Sequence, residues 1–364
     1  HEGHVWVKYH DGTQTAADPY LRAAYGAHPD RPWTEDMVGH GICYAILTFC
    51  FDSKGDHQLT QVPKYRFELQ GIPLYDIRQD STAGGSGAQR LDNPATWAPT
   101  ENPAVIAWNI MRGIPLPGGE VYGGGISDLS ELPQQMWVTA MNRCDAAIEI
   151  AGGGTEPQYR AGLEIALDQP PAAALEEIFK ACSATIADLG YGWGIVVGAP
   201  ALPVYSFTDE DVIVTKPQEY DPFPGIEATY NAVSARYPEP DELYETKEAP
   251  QRTNAGWEAA DVFGRRMAKL SLPAVTYKRQ VQRLMRAWIE DERRFRRHNL
   301  SLPPDSAVVE PTDTVSWTST RNGYATKSFS VHKIVEDPRT GIRTMSLRER
   351  DPADYAWVPG DELP

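Results

Sequence analysis

The spacing of apolar residues switches repeatedly along this chain between two and about 3.6, beginning and ending at two. A polypeptide patterned this way cannot fold as one uniform layer; it needs strands at both ends and packed helices between them. Near the start, His4-Val-Trp-Val-Lys-Tyr9 and Tyr65-Arg-Phe-Glu-Leu69 alternate like half-buried strands, and Gly41 to Phe51 is a more continuously apolar strand. Thr82-Ala-Gly-Gly-Ser-Gly87 has loop chemistry, with no strand leading in and no helix leading out. Residues 1–101 therefore read as a β-rich portion.

Residues 102–229 read as a helix-rich α/β portion. Asn102-Pro103 starts a helix with a capping side chain and a proline in the first turn. A second helix is expected from about 133 to 151, carrying Met136, Trp137, Ala140, Met141, Cys144, Ala147 and Ile148 at i, i+3, i+4 spacing. A third begins near Pro171 with Leu175, Ile178, Phe179, Cys182 and Ile186 on one side. Strand patterns return at Trp193–Val197 and Val212–Val214.

Residues 230–300 hold a strand at Tyr230–Tyr237, an acidic projecting loop or hairpin to about 255, and the clearest helix of the chain over 274–298. Val281, Leu284, Met285, Trp288, Ile289 and Phe295 mark one face of that helix. Arg279, Arg283, Arg286, Glu290, Arg293, Arg294, Arg296 and Arg297 cover most of the rest, as on a solvated helix face. Residues 301–364 read as a small antiparallel β-domain of the OB type, with hairpin turns at Asn322-Gly323 and Asp337-Pro-Arg-Thr-Gly341.

The net charge is −16, from 50 acids against 34 bases, and it lacks the basic footprint of a duplex-DNA binder. An acidic surface suits a conduit that nucleic acid passes without sticking, and equally suits any soluble chain. No apolar run reaches the roughly 18 residues of a membrane span. Cys43, Cys50, Cys144 and Cys182 form neither a disulfide framework nor a zinc spacing, which fits synthesis in a reducing cytoplasm. The chain opens at His1 without an initiator Met or signal peptide and stops at Pro364 without a cap, as a fragment of a longer polypeptide would.

Reactive constellations are sparse. Asp145 and Glu149, at i, i+4 on the expected second helix, are placed to ligate a metal, but no histidine of matching spacing joins them. Gly39-His-Gly-Ile-Cys43 sits in an apolar strand whose alternation sends His40 and Cys43 to opposite faces. Gly190-Tyr-Gly-Trp-Gly194 follows a helix and enters a strand, the reverse of a phosphate-binding order. No G-x-S-x-G, H-E-x-x-H or Walker pattern occurs. No catalytic, cofactor-binding or metal-binding residue is nominated, although 50 acids leave open a pair of carboxylates brought together by the fold.

Several stretches, taken in order, resemble the hub region of the lambda protein J family, the host-specificity or tip attachment proteins of siphophages. The likeness is greater to the versions in gene transfer agents and alphaproteobacterial phages. The stretches are Gly12-Thr-Gln-Thr15, Asn102-Pro-Ala-Val-Ile-Ala-Trp-Asn-Ile-Met-Arg112, Gly153-Gly-Thr-Glu-Pro157, the helix through Phe179, Cys182 and Ser183, Tyr230-Asn-Ala-Val233, the 274–298 helix, and Glu310-Pro-Thr-Asp-Thr-Val-Ser-Trp317. In the last of these the family tends to have Pro-Gly-Asp.

The resemblance implies an α+β multidomain protein, with β-barrel-like baseplate hub domains around an inserted α/β portion. It implies a non-enzymatic homotrimer at the distal end of the virion tail. The neighbours it implies are a distal tail protein ring, an iron–sulfur-containing hub partner and tail fibres or receptor-binding proteins, with phage DNA passing through without specific binding. The cysteines here lack cluster spacing, so the iron–sulfur ligands would be the partner's. No cofactor is implied for this chain. A tail-associated cell-wall hydrolase and a carbohydrate-binding module are the alternatives.

Overall fold

The computed structural model describes residues 3–51, 59–116 and 119–364. The chain divides into two compact units, His1–Leu69 with Pro117–Glu120, and Gln70–Leu116 with Val121–Pro364.

In the first unit, β1 (Val5–Asp11) pairs antiparallel with β2 (Cys43–Phe49) over seven residues, from Val5 opposite Phe49 to Asp11 opposite Cys43. Helix α1 (Pro19–Tyr25) lies between them in sequence. Asp18 ties helix to ribbon. Its carboxylate accepts the Leu21 amide at the helix start, the Lys8 ammonium at 2.5 Å and His10 Nε2 at 3.0 Å. Desolvation raises the Asp18 pKa, but these donors outweigh it and hold the carboxyl at about 2. The expected strand over Tyr65–Leu69 is not formed. Those residues carry no strand assignment, although Phe67 meets Tyr9 edge-on and Tyr65 at an angle.

The second unit begins its helical layer with α2 (Pro103–Arg112), where the Asn102 side chain caps the Ala104 and Val105 amides and donates to the Met141 carbonyl at 2.8 Å. Inside α2, Asn109 exchanges both amide bonds with the Tyr75 backbone, pinning the preceding segment to the helix. A short hairpin of β3 (Ile114–Pro115) and β4 (Val121–Tyr122) follows.

Helix α3 (Gln134–Cys144) is shorter than its apolar stripe suggests. It stops at Asp145, and Ala147 and Ile148 belong to β5 (Ala147–Glu149), which pairs with β6 (Thr155–Pro157). Gly152, Gly153 and Gly154 between them all take positive φ, so a tight turn returns the chain where a helix would have continued. Likewise α4 (Pro171–Ala181) ends before Ile186, which sits in the hairpin of β7 (Ala184–Asp188) and β8 (Trp193–Val197). Trp108, Trp137, Met141, Cys144, Ile178 and Cys182 are buried together between these helices.

The remainder holds two sheets and two helices. Its strands are β9 (Tyr205–Thr208), β10 (Glu219–Asp221), β11 (Ala232–Glu239), β12 (Glu245–Glu248), β13 (Arg252–Thr253) and β14 (Met267–Ser271), then β15 (Arg297–Leu302), β16 (Thr314–Ser319), β17 (Tyr324–Glu336) and β18 (Arg343–Glu349). The helices are α5 (Ala255–Ala260) and α6 (Lys278–Glu292). In one sheet β11 is flanked by β12 and β13 on one edge and by parallel β14 on the other. The acidic segment after Tyr237 is thus a hairpin, as its composition suggested.

The second sheet has six strands in the order β10-β15-β18-β17-β16-β9, so it recruits chain from both sides of residue 301. It is open: β10 and β9 each pair with one neighbour, and no closed barrel forms among the described residues. The barrel-like expectation is corrected to that extent. Both expected hairpin turns are present, since β16 returns through Asn322-Gly323 and β17 through Asp337–Gly341. Val212–Val214 forms no strand. Ile213 instead bonds the Ser301 carbonyl while Val212 fills the sheet's core.

Helix α6 packs into the helical core. Val281, Leu284, Met285 and Ile289 lie in the helical core, and Trp288 packs at its margin against Tyr230. The helix stops at Glu292 rather than 298, because Arg297 to Leu302 pair residue by residue with β18, which gives the backbone a ladder in place of two more helical turns. Replacing the fully buried Met285 by Ala is expected to cost about 2–5 kcal/mol in urea unfolding, against less than about 0.5 kcal/mol for exposed Lys278→Ala.

Candidate functional site

The residues with expected chemical potential are kept apart by the fold. Asp145 ends α3 and Glu149 lies in β5, so they no longer share a helix face. Cys43 donates to the Asp11 carbonyl at 3.1 Å, whereas His40 lies 3.3 Å from the Gln14 carbonyl. Cys144 and Cys182 are free thiols buried in the helical core, and burial pushes the Cys182 thiol well up. Gly190–Gly194 is the turn into β8. A Cβ on Gly192 would stand 2.5 Å from the Glu131 carbonyl oxygen, so this glycine serves chain-to-chain packing rather than a phosphate. Among the described residues no group of three His, Cys, Asp or Glu side chains is placed to hold a metal, and no helix is long and apolar enough to cross a membrane.

The most elaborate polar structure surrounds α6, where a solvated basic face was expected. Its arginines are paired instead. Arg283, buried in the helix, reaches Glu156 at 2.5 Å and the Gln158 carbonyl at 3.0 Å. Arg279 meets Glu362 at 2.9 Å, and Arg286 meets Asp361. Just past the helix, Arg293 makes a bidentate pair with Asp261 at 2.7 and 2.9 Å, and Arg294 another with Asp354 at 2.6 and 2.9 Å. In the opposite sense, Asp291 accepts Arg348 at 2.9 Å and Arg350 at 3.1 Å from the end of β18. Charges withdrawn from water persist only when paired and hydrogen-bonded, so Arg283 and Arg293 with their carboxylates hold the molecule together and are not free to meet nucleic-acid phosphates.

Three carboxyls have raised pKa values: Glu290 through burial and then Asp354, Asp313 through burial and then Glu310, and Asp354 through burial despite Arg294. A glycosidase would need such groups facing each other across a cleft. None of the three lines either of two surface depressions. One, of about 600 Å3, lies in the first unit beside Arg22, Trp33 and Glu35. The other, of about 380 Å3, lies on the polar side of the six-stranded sheet beside Asp221, Arg297, His332 and Arg348.

On the core side of that sheet His298 stacks on Tyr220 at 4.5 Å and bonds the Tyr324 hydroxyl at 2.9 Å, with Trp317 and Phe329 edge-on. Burial, with Arg321 and Arg296 adding to it, lowers its pKa to about 4. His298 is therefore a neutral core residue at pH 7.

Residues 170–331 match the model of a family described as a putative phage tail protein. That segment runs from α4 through the four-stranded sheet and α6 into β17, with β18 beyond it. Across nearly its whole length the chain is similar in fold to a chain in the virion of a native gene transfer agent particle. The TM-score is 0.54 at 17% identity, covering 99% of this chain and 77% of that one. A tail protein from Neisseria meningitidis aligns with TM-score 0.38 at 11% identity, over 61% of this chain and 66% of that one. The 43 kDa tail protein of prophage MuSo2 from Shewanella oneidensis gives 0.36 at 12%, over 57% and 59%. No curated protein sequence matches the chain.

The lowered pKa of His298 sets a pH dependence of stability. Between about 6.5 and about 4 the unfolded chain takes up a proton that the folded chain refuses, so stability present above 6.5 drains away as pH falls through that window. The loss amounts to roughly 3 kcal/mol at most. Urea unfolding at pH 7 and pH 4.5 should show it for the native chain and a smaller slope for His298→Asn. Equal slopes would contradict the assignment.

Proposed function

We propose that the chain is a structural component of a phage-type tail, a hub at its distal end that forms a trimeric ring, closes the tail tube and carries fibres for host attachment. One observation carries this reading: similarity in fold to a gene transfer agent virion chain extends over 99% of the residues, and the tail-protein family match falls inside the same span. Two physical features are consistent with it. The net charge of −16 disfavours adhesion to DNA moving past the ring. The arginines of α6, a phosphate-binding strip if left free, are paired with carboxylates within the chain.

Under this reading the neighbours are a distal tail protein ring, an iron–sulfur-containing hub partner and tail fibres or receptor-binding proteins. DNA passes through the ring without specific contacts. A structural role agrees with the family match, and no observation here favours cell-wall hydrolysis or glycan binding over it.

Sedimentation velocity and negative-stain imaging of the purified chain test the ring. The expected result is a particle of three 40.4 kDa subunits with threefold symmetry. A monomer that stays monomeric at tens of micromolar and does not bind other tail proteins would contradict it.

A further inference from the structure

After β18 the chain crosses the outer side of α6 without joining any strand. Its own backbone bonds are single-turn contacts, such as Asp354 to Asp351 and Asp361 to Val358. What ties it down is side-chain chemistry. Arg294 takes Asp354, and Arg350 lies 5.2 Å over the Tyr355 ring. Arg252, from β13, lies 5.8 Å over the Trp357 ring and donates to the Asp361 carbonyl at 2.7 Å. Arg286 holds the Asp361 carboxylate, and Arg279 holds Glu362 through two bonds of 2.9 and 3.1 Å. Between those arginines the buried Gln282 accepts the Leu363 amide at 2.7 Å and donates to the Leu363 carbonyl at 3.1 Å.

This arrangement reads a peptide in two ways. Gln282 grips backbone, as a neighbouring strand would, and is indifferent to the side chain it meets. The two arginines, seven residues apart on one helix face, require adjacent carboxylates. Arg252 adds a third guanidinium and an aromatic contact.

The hold is electrostatic. No residue beyond 349 belongs to either apolar core, and Val358 is largely exposed. The Arg279–Glu362 and Arg286–Asp361 pairs are partly open to water, where ion pairs are individually weak and screened by salt. A segment with few buried apolar contacts opens at low cost relative to the cores beneath it.

We propose that the outer side of α6, together with Arg252, is a receptor groove for an acidic peptide carrying a single turn, filled in cis by Trp357–Leu363 with its turn at Pro359–Asp361, and that this segment exchanges for a partner's segment of the same chemistry. The partner would offer two adjacent carboxylates, followed by a backbone amide and carbonyl to meet Gln282. The proposal does not depend on where in a tail the chain sits.

The test uses the 364-residue chain with Asp361→Asn and Glu362→Gln together, which weakens the occupant and leaves the groove intact. Hydrogen exchange of residues 357–363 should speed up at least tenfold, with α6 and β15–β18 unchanged. A fluorescein-labelled peptide of residues 355–364 should then bind this variant at least tenfold more tightly than the native chain. Adding Arg279→Gln and Arg286→Gln should abolish that binding. The proposal is overturned if residues 357–363 stay protected in the carboxylate variant. It is equally overturned if they are released but the peptide binds no better than to the native chain, or binds undiminished without the two arginines.

Discussion

Arg283 cannot be solvated where α6 places it. Its guanidinium lies among buried groups, and the carboxylate of Glu156 with the carbonyls of Pro157 and Gln158 takes the place of water. An ion withdrawn from water in this way costs several kcal/mol if its partner is lost, so the β5–β6 hairpin and α6 are fixed relative to each other. The same constraint recurs along the helix. Asp291 binds the end of β18, Arg293 binds Asp261 at the end of α5, and the apolar stripe from Val281 to Ile289 closes the helical core. Helix, hairpin and both sheets are therefore positioned by one element whose faces are all spoken for.

Much of this was legible in the sequence where the signals are local. Asn102-Pro103 announced α2, the stripe from Val281 to Ile289 announced α6, and Asn322-Gly323 announced a turn, because capping, periodicity and turn chemistry act within a few residues. What failed depends on partners far away in sequence. The stripe through Ile148 continues past the end of α3, and only pairing with Thr155–Pro157 turns it into a strand. Phe295 continues the α6 pattern, but the six-residue ladder to β18 takes over before the next turn. Tyr65–Leu69 alternates like a strand, and alternation alone supplies no neighbour to pair with.

The charges were the least legible feature. A run of arginines from 279 to 297 is compatible with a wet surface, a phosphate strip or a set of buried pairs, and the sequence between them holds no clue. Their partners, Glu156, Asp261, Asp354, Asp361 and Glu362, are scattered over some 200 residues, and only the fold brings them together. The groove over α6 was missed for the same reason. Residues 351–364 read as the tail of a β-domain, and nothing local to Asp361-Glu362 points to Arg279 and Arg286. The missing reactive motifs left function to be inferred from fold likeness, since surfaces that bind other subunits have no sequence motif of their own.

Under the proposed reading, a chain built around internal ion pairs holds its position within an assembly. Electron cryomicroscopy of the intact particle tests that claim most directly. The account requires three copies of this fold around the tail axis at its distal end. Density for the chain in the head or along the shaft, or no density for it anywhere in the particle, would contradict it.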